Sequence, residues 1–299
     1  MRVRLHPSGP EVTRIIPGLM NLAAWDLTPA QRLDWIEATL DLGLTTFDHA
    51  DIYGGYTCEA LFGEALALRP GLRQQMELVT KCNIALVKGA RPDHRIKHYN
   101  TSASHIRSSV ARSLKNLNTD YLDLLLLHRP DPLLDPHEVA EAFYEMHRSG
   151  QVRAFGVSNF TPGQIDALQA HLDMPLVTNQ VQASPLYTDT MLDGTFDHAV
   201  QHGYSPMAWS PLGGGRLFSG DDDQAVGVRQ VISEIAENRN AGLDQVALAF
   251  VLRHPAGICP VLGTGKTERL RAAAEATQLT LDRQEWYAIL KASRGFDVP

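Results

Sequence analysis

Four side chains in this sequence are of types that together move a proton to oxygen: Asp48, Tyr53, Lys81 and His128. Asp48 opens the run Asp48-His49-Ala50-Asp51-Ile52-Tyr53, Lys81 ends Leu78-Val79-Thr80-Lys81, and His128 follows Leu124-Leu125-Leu126-Leu127. A phenol ionises near pH of about 10, which makes it a poor acid at neutral pH when alone. An ammonium beside it stabilises the phenolate and lowers that value, each pKa unit corresponding to about 1.4 kcal/mol. A carboxylate keeps the lysine charged and in place, and an imidazole orients a carbonyl oxygen next to the phenol. Singly, each has a plainer reading. A histidine after four leucines commonly terminates a strand, and a lysine ending a strand commonly meets solvent. Joined at one mouth, the four make a proton donor for a developing alkoxide.

The elements that must hold them follow a simple alternation. Strand-like runs are predicted at Ile15–Met20, Thr45–Asp48, Leu78–Lys81, Leu122–Leu127, Ala154–Val157, Val177–Asn179, Ser205–Ala208 and Ile258–Val261. Helices between them announce their starts: Thr28-Pro29, Asp135-Pro136 and Thr161-Pro162 each set a capping oxygen before a proline suited to the first turn. Leu33, Ile36 and Leu40, then Ile106, Val110, Leu114 and Leu117, then Val139, Phe143 and Met146 recur at helical spacing. Such stripes mark core packing. Short apolar strands alternating with helices imply a parallel sheet covered by helices. Eight repeats and the absence of GxGxxG favour an α/β fold of the (β/α)8 TIM barrel type, one domain over residues 1–299, rather than an open dinucleotide-binding sheet. Reactive groups then belong at the carboxyl ends of the strands, where all four candidates stand.

Composition narrows the class further. The chain has 299 residues, 44% of them hydrophobic and 20% charged, with a formal net charge of −7. That is an ordinary globular balance with no basic excess, so neither nucleic acid nor an anionic membrane is expected as a partner. No apolar stretch reaches the length of a membrane span, and the start, Met1 to Pro17, lacks a signal-peptide core. A cytoplasmic monomer acting on a small molecule is expected. Cys58, Cys82 and Cys259 stand far apart, HExxH is absent, and the twelve histidines show no compelling ligand spacing, so no metal is expected. The stretches Lys88–Asn100, with Arg91 and His98-Tyr99, and Pro211–Val228 are read as long connections that could border a substrate. The acidic run Asp221–Asp223 is read as a solvated loop tip, and the segment Ala292–Pro299 as a short tail after a last helix.

From Arg14 to about Pro299 the sequence resembles the aldo-keto reductases. Phe47-Asp48-His49-Ala50-Asp51-Ile52-Tyr53-Gly54, Lys81 and Leu127-His128-Arg129-Pro130 match that family's tetrad. The resemblance implies Tyr53 as general acid, Lys81 and Asp48 as its tuning pair and His128 as the substrate-orienting group. Met207-Ala208-Trp209-Ser210-Pro211-Leu212-Gly213-Gly214-Gly215-Arg216 is most similar to a bacterial subgroup of predicted oxidoreductases of the YdhF type.

The same resemblance implies a nicotinamide cofactor. Ser158, Asn159 and Gln180 offer hydroxyl and amide groups to its carboxamide. Trp209 takes the place of a stacking tyrosine, which keeps a flat face but drops the phenol hydroxyl; Ser210 and Leu212 follow it along the cofactor. Gly263, Thr264, Lys266 and Arg269 surround an anion site ahead of a helix, where Arg269 matches the arginine that contacts a 2′-phosphate and so favours NADPH. The family lysine just after the eighth strand is replaced here by Gly263, with Lys266 three residues on. Gly265-Lys266-Thr267 imitates the tail of a phosphate-binding loop, but Pro260 stands where that motif needs its first glycine. The implied reaction is reduction of an aldehyde or ketone to an alcohol. Two rivals remain open on the residues alone: a Schiff-base aldolase using Lys81, and an NADPH-binding sensor with little turnover.

Overall fold

The computed structural model describes residues 2–89 and 92–299; Arg91, one of the residues expected beside a substrate, lies outside them. Its strands are β1 (Arg2–Arg4), β2 (Glu11–Thr13), β3 (Ile16–Pro17), β4 (Thr46–Asp48), β5 (Glu77–Cys82), β6 (Ile84–Ala85), β7 (His98–Tyr99), β8 (Leu124–Leu127), β9 (Phe155–Ser158), β10 (Leu176–Gln182), β11 (Met207–Trp209) and β12 (Cys259–Leu262). Its helices are α1 (Pro29–Asp41), α2 (Cys58–Leu68), α3 (Ala103–Asn116), α4 (Pro136–Arg148), α5 (Pro162–Gln169), α6 (Thr195–His202), α7 (Arg216–Ser219), α8 (Asp223–Arg239), α9 (Leu243–Leu252), α10 (Thr267–Glu275) and α11 (Arg283–Arg294).

Eight parallel strands lie in the order β3-β12-β11-β10-β9-β8-β5-β4. The two ends of that order meet through a parallel bridge between Gly18 and Asp48, and the Leu19 amide donates to the Asp48 carbonyl at 2.9 Å. The sheet is therefore a ring, a (β/α)8 barrel forming a single domain. Each of the eight expected strands overlaps one of its staves. Alternation along β8 shows how the core is divided: Leu124 and Leu126 join Val79, Met207 and Val261 inside the barrel, while Leu125 and Leu127 pack outward against the helices. His128 continues the inward series by the same two-residue period.

Helix starts follow their signals. Thr28 and Gln31 form a reciprocal capping box at α1, with Thr28 Oγ1 accepting the Gln31 amide at 3.3 Å and Gln31 Oε1 accepting the Thr28 amide at 2.9 Å. Thr161 caps α5 in the same manner, and Asp135 Oδ1 accepts the His137 amide at 2.9 Å ahead of α4. Beyond the end of α1, Gly43 turns the chain at a φ of 75° that a side chain would disfavour. Thr28→Ala removes the cap oxygen without touching the core, and is expected to lower stability by about 1 kcal/mol, read as a shift in urea midpoint at unchanged slope.

The sequence reading missed one element and needs correction at two further stretches. The start of the chain is a hairpin, β1 pairing antiparallel with β2, and its Leu5 and Val12 are fully buried against the inward-facing cluster. Strands of three residues broken by Pro and Gly carry too little alternation to be read. Pro211–Val228 is largely helical, holding α7 and the first turn and more of α8. The acidic run lies at that helix start, where Asp222 accepts the Ala225 amide at 3.1 Å and pairs with Arg216. Finally, α11 extends to Arg294, three residues into the expected tail.

Candidate active site

The site forms where β4, β5 and β8 end at the carboxyl mouth of the barrel. Asp48 ends β4 and Lys81 lies one residue before the end of β5, both facing inward and buried to 2% and 0% exposure. Lys81 Nζ donates to Asp48 Oδ1 and Oδ2 at 2.8 and 2.7 Å, to the His49 carbonyl at 2.7 Å and to the Tyr53 hydroxyl at 3.1 Å. Four acceptors thus surround one ammonium. Tyr53 stands on a tight turn just after β4, half-buried, with its ring centroid 5.0 Å from Nζ and 6.0 Å from the His128 ring, which meets it edge-on. The structure brings all four tetrad candidates together.

Electrostatics sharpen the picture. Burial works against the charge on Lys81, but Asp48 and then Tyr53 more than offset it, so its pKa lies above the ordinary lysine value. Burial is also the largest influence on Tyr53, and it outweighs the opposing pull of Lys81, leaving the phenol raised. The expected lowering by the ammonium is present as a component and is overruled in sum, because spacing in a sequence says nothing of desolvation. His128 is held well below its usual value, first by burial and then by the positive charges of Lys81, Arg129 and Lys97. It is a neutral imidazole at physiological pH, and its Nδ1 is buried without a partner among the described residues.

The candidate cofactor residues line adjoining strand ends. Ser158 Oγ donates to the Gln180 carbonyl at 2.7 Å, and Asn159 Nδ2 donates to Ser158 Oγ at 2.8 Å and the His128 carbonyl at 3.2 Å. Trp209 Nε1 donates to Asn159 Oδ1 at 2.9 Å. The indole N–H is thus satisfied by the residue just after β9. Gln180 is tied more closely to the tetrad than expected, since its Nε2 donates to Asp48 Oδ1 at 2.8 Å. Ser210 follows β11 with a left-handed φ of 51°, and Leu212 leads into the turn at Gly213–Gly215. Gly263, Thr264 and Lys266 connect β12 to α10, and Arg269 lies exposed in that helix's first turns. No side chain caps α10.

Two residues near the mouth escape the sequence reading. Asn83, at a left-handed φ of 88°, accepts the His128 and Arg129 amides on Oδ1 at 2.9 and 3.1 Å and donates to the Arg129 carbonyl at 2.7 Å. It sets the backbone from which His128 projects; an asparagine just beyond a strand was the only signal. His49 is fully buried, edge-on to Phe62 at 4.6 Å, with neither ring nitrogen partnered among the described residues.

The sequence profile of the Aldo/keto reductase family matches residues 14–294. The chain belongs to the aldo/keto reductase family. It is 52% identical to "Oxidoreductase YdhF" of Escherichia coli over 299 residues, covering 100% of this chain and 99% of that one. It is 46% identical to a "6-dehydroglucose reductase" of Agrobacterium fabrum, with 96% of each chain covered. Among solved structures, the thermostable aldo-keto reductase Tm1743, crystallised with the inhibitor epalrestat, superposes with a TM-score of 0.82 at 25% identity, covering 98% of this chain and 99% of that one. Aldo/keto reductase membership makes the protein an oxidoreductase that acts on small molecules. Among the described residues no helix is long and apolar enough to cross a membrane.

Proposed function

We propose that this aldo/keto reductase reduces an aldehyde or ketone to an alcohol with NADPH, using Tyr53 as general acid. One observation carries the reading: a single buried ammonium, Lys81, contacts both the carboxylate of Asp48 and the hydroxyl of Tyr53. NADPH fits the residues present. Trp209 is half-buried and has its edge fixed by Asn159, which suits a flat platform for a pyridine ring. The amides at the start of α10 lack a side-chain cap, and Lys266 and Arg269 add positive charge there, the donor set a phosphate requires.

When bound, NADPH supplies the hydride. The chain's own residues provide position and charge. Neutral His128 offers an N–H to the carbonyl oxygen, and Tyr53 passes its proton to that oxygen as negative charge develops. Lys81 stabilises the phenolate left behind. Asp48 holds Lys81, and Gln180 holds Asp48. Ser158 and Asn159 bind the carboxamide, with Ser210 and Leu212 alongside and Gly263, Thr264, Lys266 and Arg269 at the phosphates. The name of the Agrobacterium relative suggests a hexose carrying a carbonyl as the substrate class. In this reading the protein is a monomeric cytoplasmic enzyme with no nucleic-acid or membrane partner.

The test is NADPH consumption by the purified protein with 6-dehydroglucose and a panel of simple aldehydes, repeated with NADH. Turnover with NADPH and weaker turnover with NADH is expected. Arg269→Ala should raise the KM for NADPH on the order of tenfold while leaving that for NADH nearly unchanged, as for loss of one charged contact. Tight NADPH binding with no turnover on any carbonyl would instead make the protein a sensor.

A further inference from the structure

We propose that Asp166, His198 and His202 form a binding site for a divalent transition ion of the zinc class. The site lies on the outer wall of the barrel, away from the tetrad. His198 and His202 are four residues apart on α6, so they share one face, and their ring centroids are 4.1 Å apart. Asp166 reaches them from the neighbouring helix α5. The end of α6 leads through Gly203–Pro206 into the start of β11, and the Ser205 amide there donates to the Leu5 carbonyl of the terminal hairpin at 2.7 Å. This is the end of the barrel opposite the carboxyl mouth.

Three features suit an ion better than a plain ion pair. First, the ligand atoms converge: His198 Nε2 lies 3.1 Å and His202 Nε2 3.8 Å from the same oxygen, Asp166 Oδ1, and one ligand atom from each residue falls within 4.8 Å of the others. Ligands at about 2.0–2.1 Å around a tetrahedral ion are separated by about 3.4 Å, between those two distances. Second, at 3.8 Å the His202 contact is too long for a hydrogen bond, so this nitrogen faces Asp166 without bonding to it. Third, His198 is buried to 7% exposure and its remaining nitrogen, Nδ1, is 2.9 Å from the Tyr204 hydroxyl.

That last contact orients the imidazole as outer partners of metal-bound histidines do. Without an ion, Nε2–H donates to Asp166 and Nδ1 accepts from the tyrosine O–H. With an ion, the proton shifts to Nδ1 and the hydroxyl rotates to accept it, freeing the Nε2 lone pair. A hydroxyl serves in either sense. Two imidazoles and one carboxylate select the zinc class over magnesium or calcium, which favour oxygen alone. His198 and His202 have the spacing of the HExxH histidines, but Ala199 stands in place of the glutamate and the third ligand comes from another helix, so the sequence pattern passes over them.

The test is titration of zinc chloride into the chelator-stripped, purified protein, followed by calorimetry, with cobalt(II) as a spectroscopic substitute. One equivalent is expected to bind. His202→Ala and Asp166→Ala should each weaken binding at least about tenfold and abolish the visible cobalt band. Tyr204→Phe, which keeps the packing and loses only the hydroxyl, should weaken zinc about 10–100-fold. The three free cysteines are buried, which limits competition from thiolates. Absence of a binding event in the wild type, or binding undiminished in His202→Ala, overturns the site.

Discussion

Replacing Tyr53 by phenylalanine is expected to lower kcat by about 10²–10⁴-fold, the range for loss of a general acid. The substitution removes one oxygen. The ring keeps its edge-on approach to His128, and Lys81 keeps both oxygens of Asp48 and the His49 carbonyl. What disappears is the proton that the oxygen needs as its charge develops, together with the acceptor 3.1 Å from Nζ. Because that contribution arises in the transition state, kcat and kcat/KM should fall together while NADPH binding, followed by tryptophan fluorescence, stays near wild type. A variant with near-wild-type turnover on a good aldehyde would remove Tyr53 from the role proposed for it.

Acid is expected to destabilise the protein through His49. In the unfolded chain this imidazole takes a proton near its ordinary value of 6.5, whereas in the native protein burial, and then Lys81, lower that value to about 3. Between the two values the unfolded chain binds the additional proton. Stability is therefore fully retained above pH 6.5 and declines as pH falls toward 3, by on the order of 4–5 kcal/mol from this group. Nothing compensates inside: neither nitrogen is partnered among the described residues and Phe62 lies against the ring. His49→Leu should flatten the loss between those limits, measured as unfolding free energy against pH. The slope is the informative quantity, since repacking offsets both arms equally. Part of the acid sensitivity should survive in the variant, because buried His128 is lowered in the same direction. An unchanged slope would show that His49 is not held neutral.

What the sequence revealed, and what it hid, divides along local and non-local lines. The staves of the barrel were legible because each carries a short apolar run between capped helices, and Thr28, Asp135 and Thr161 declare those caps within four residues. The meeting of Asp48, Tyr53, Lys81 and His128 was legible too, since strand ends of one barrel share a mouth. Their energetics were not. Whether Lys81 or burial governs Tyr53 depends on desolvation, a property of the packed molecule. The link from Gln180 to Asp48 spans 132 positions and has no local trace. Asn83 acts through its backbone angle and two accepted amides, which no residue pattern encodes. The α8 start at Asp222 was hidden because its acidic neighbours imitate a solvated loop.

The hairpin of β1 and β2 has a consequence for where the protein can be cut. The family profile begins at residue 14, just after β2, yet Leu5 and Val12 belong to the same buried cluster as the inner leucines of β8. A chain trimmed to that boundary would keep every group of the reaction centre and lose its floorboards. Water would then reach the stave interior from underneath, and the damage would show as leakage and clumping long before any change in chemistry.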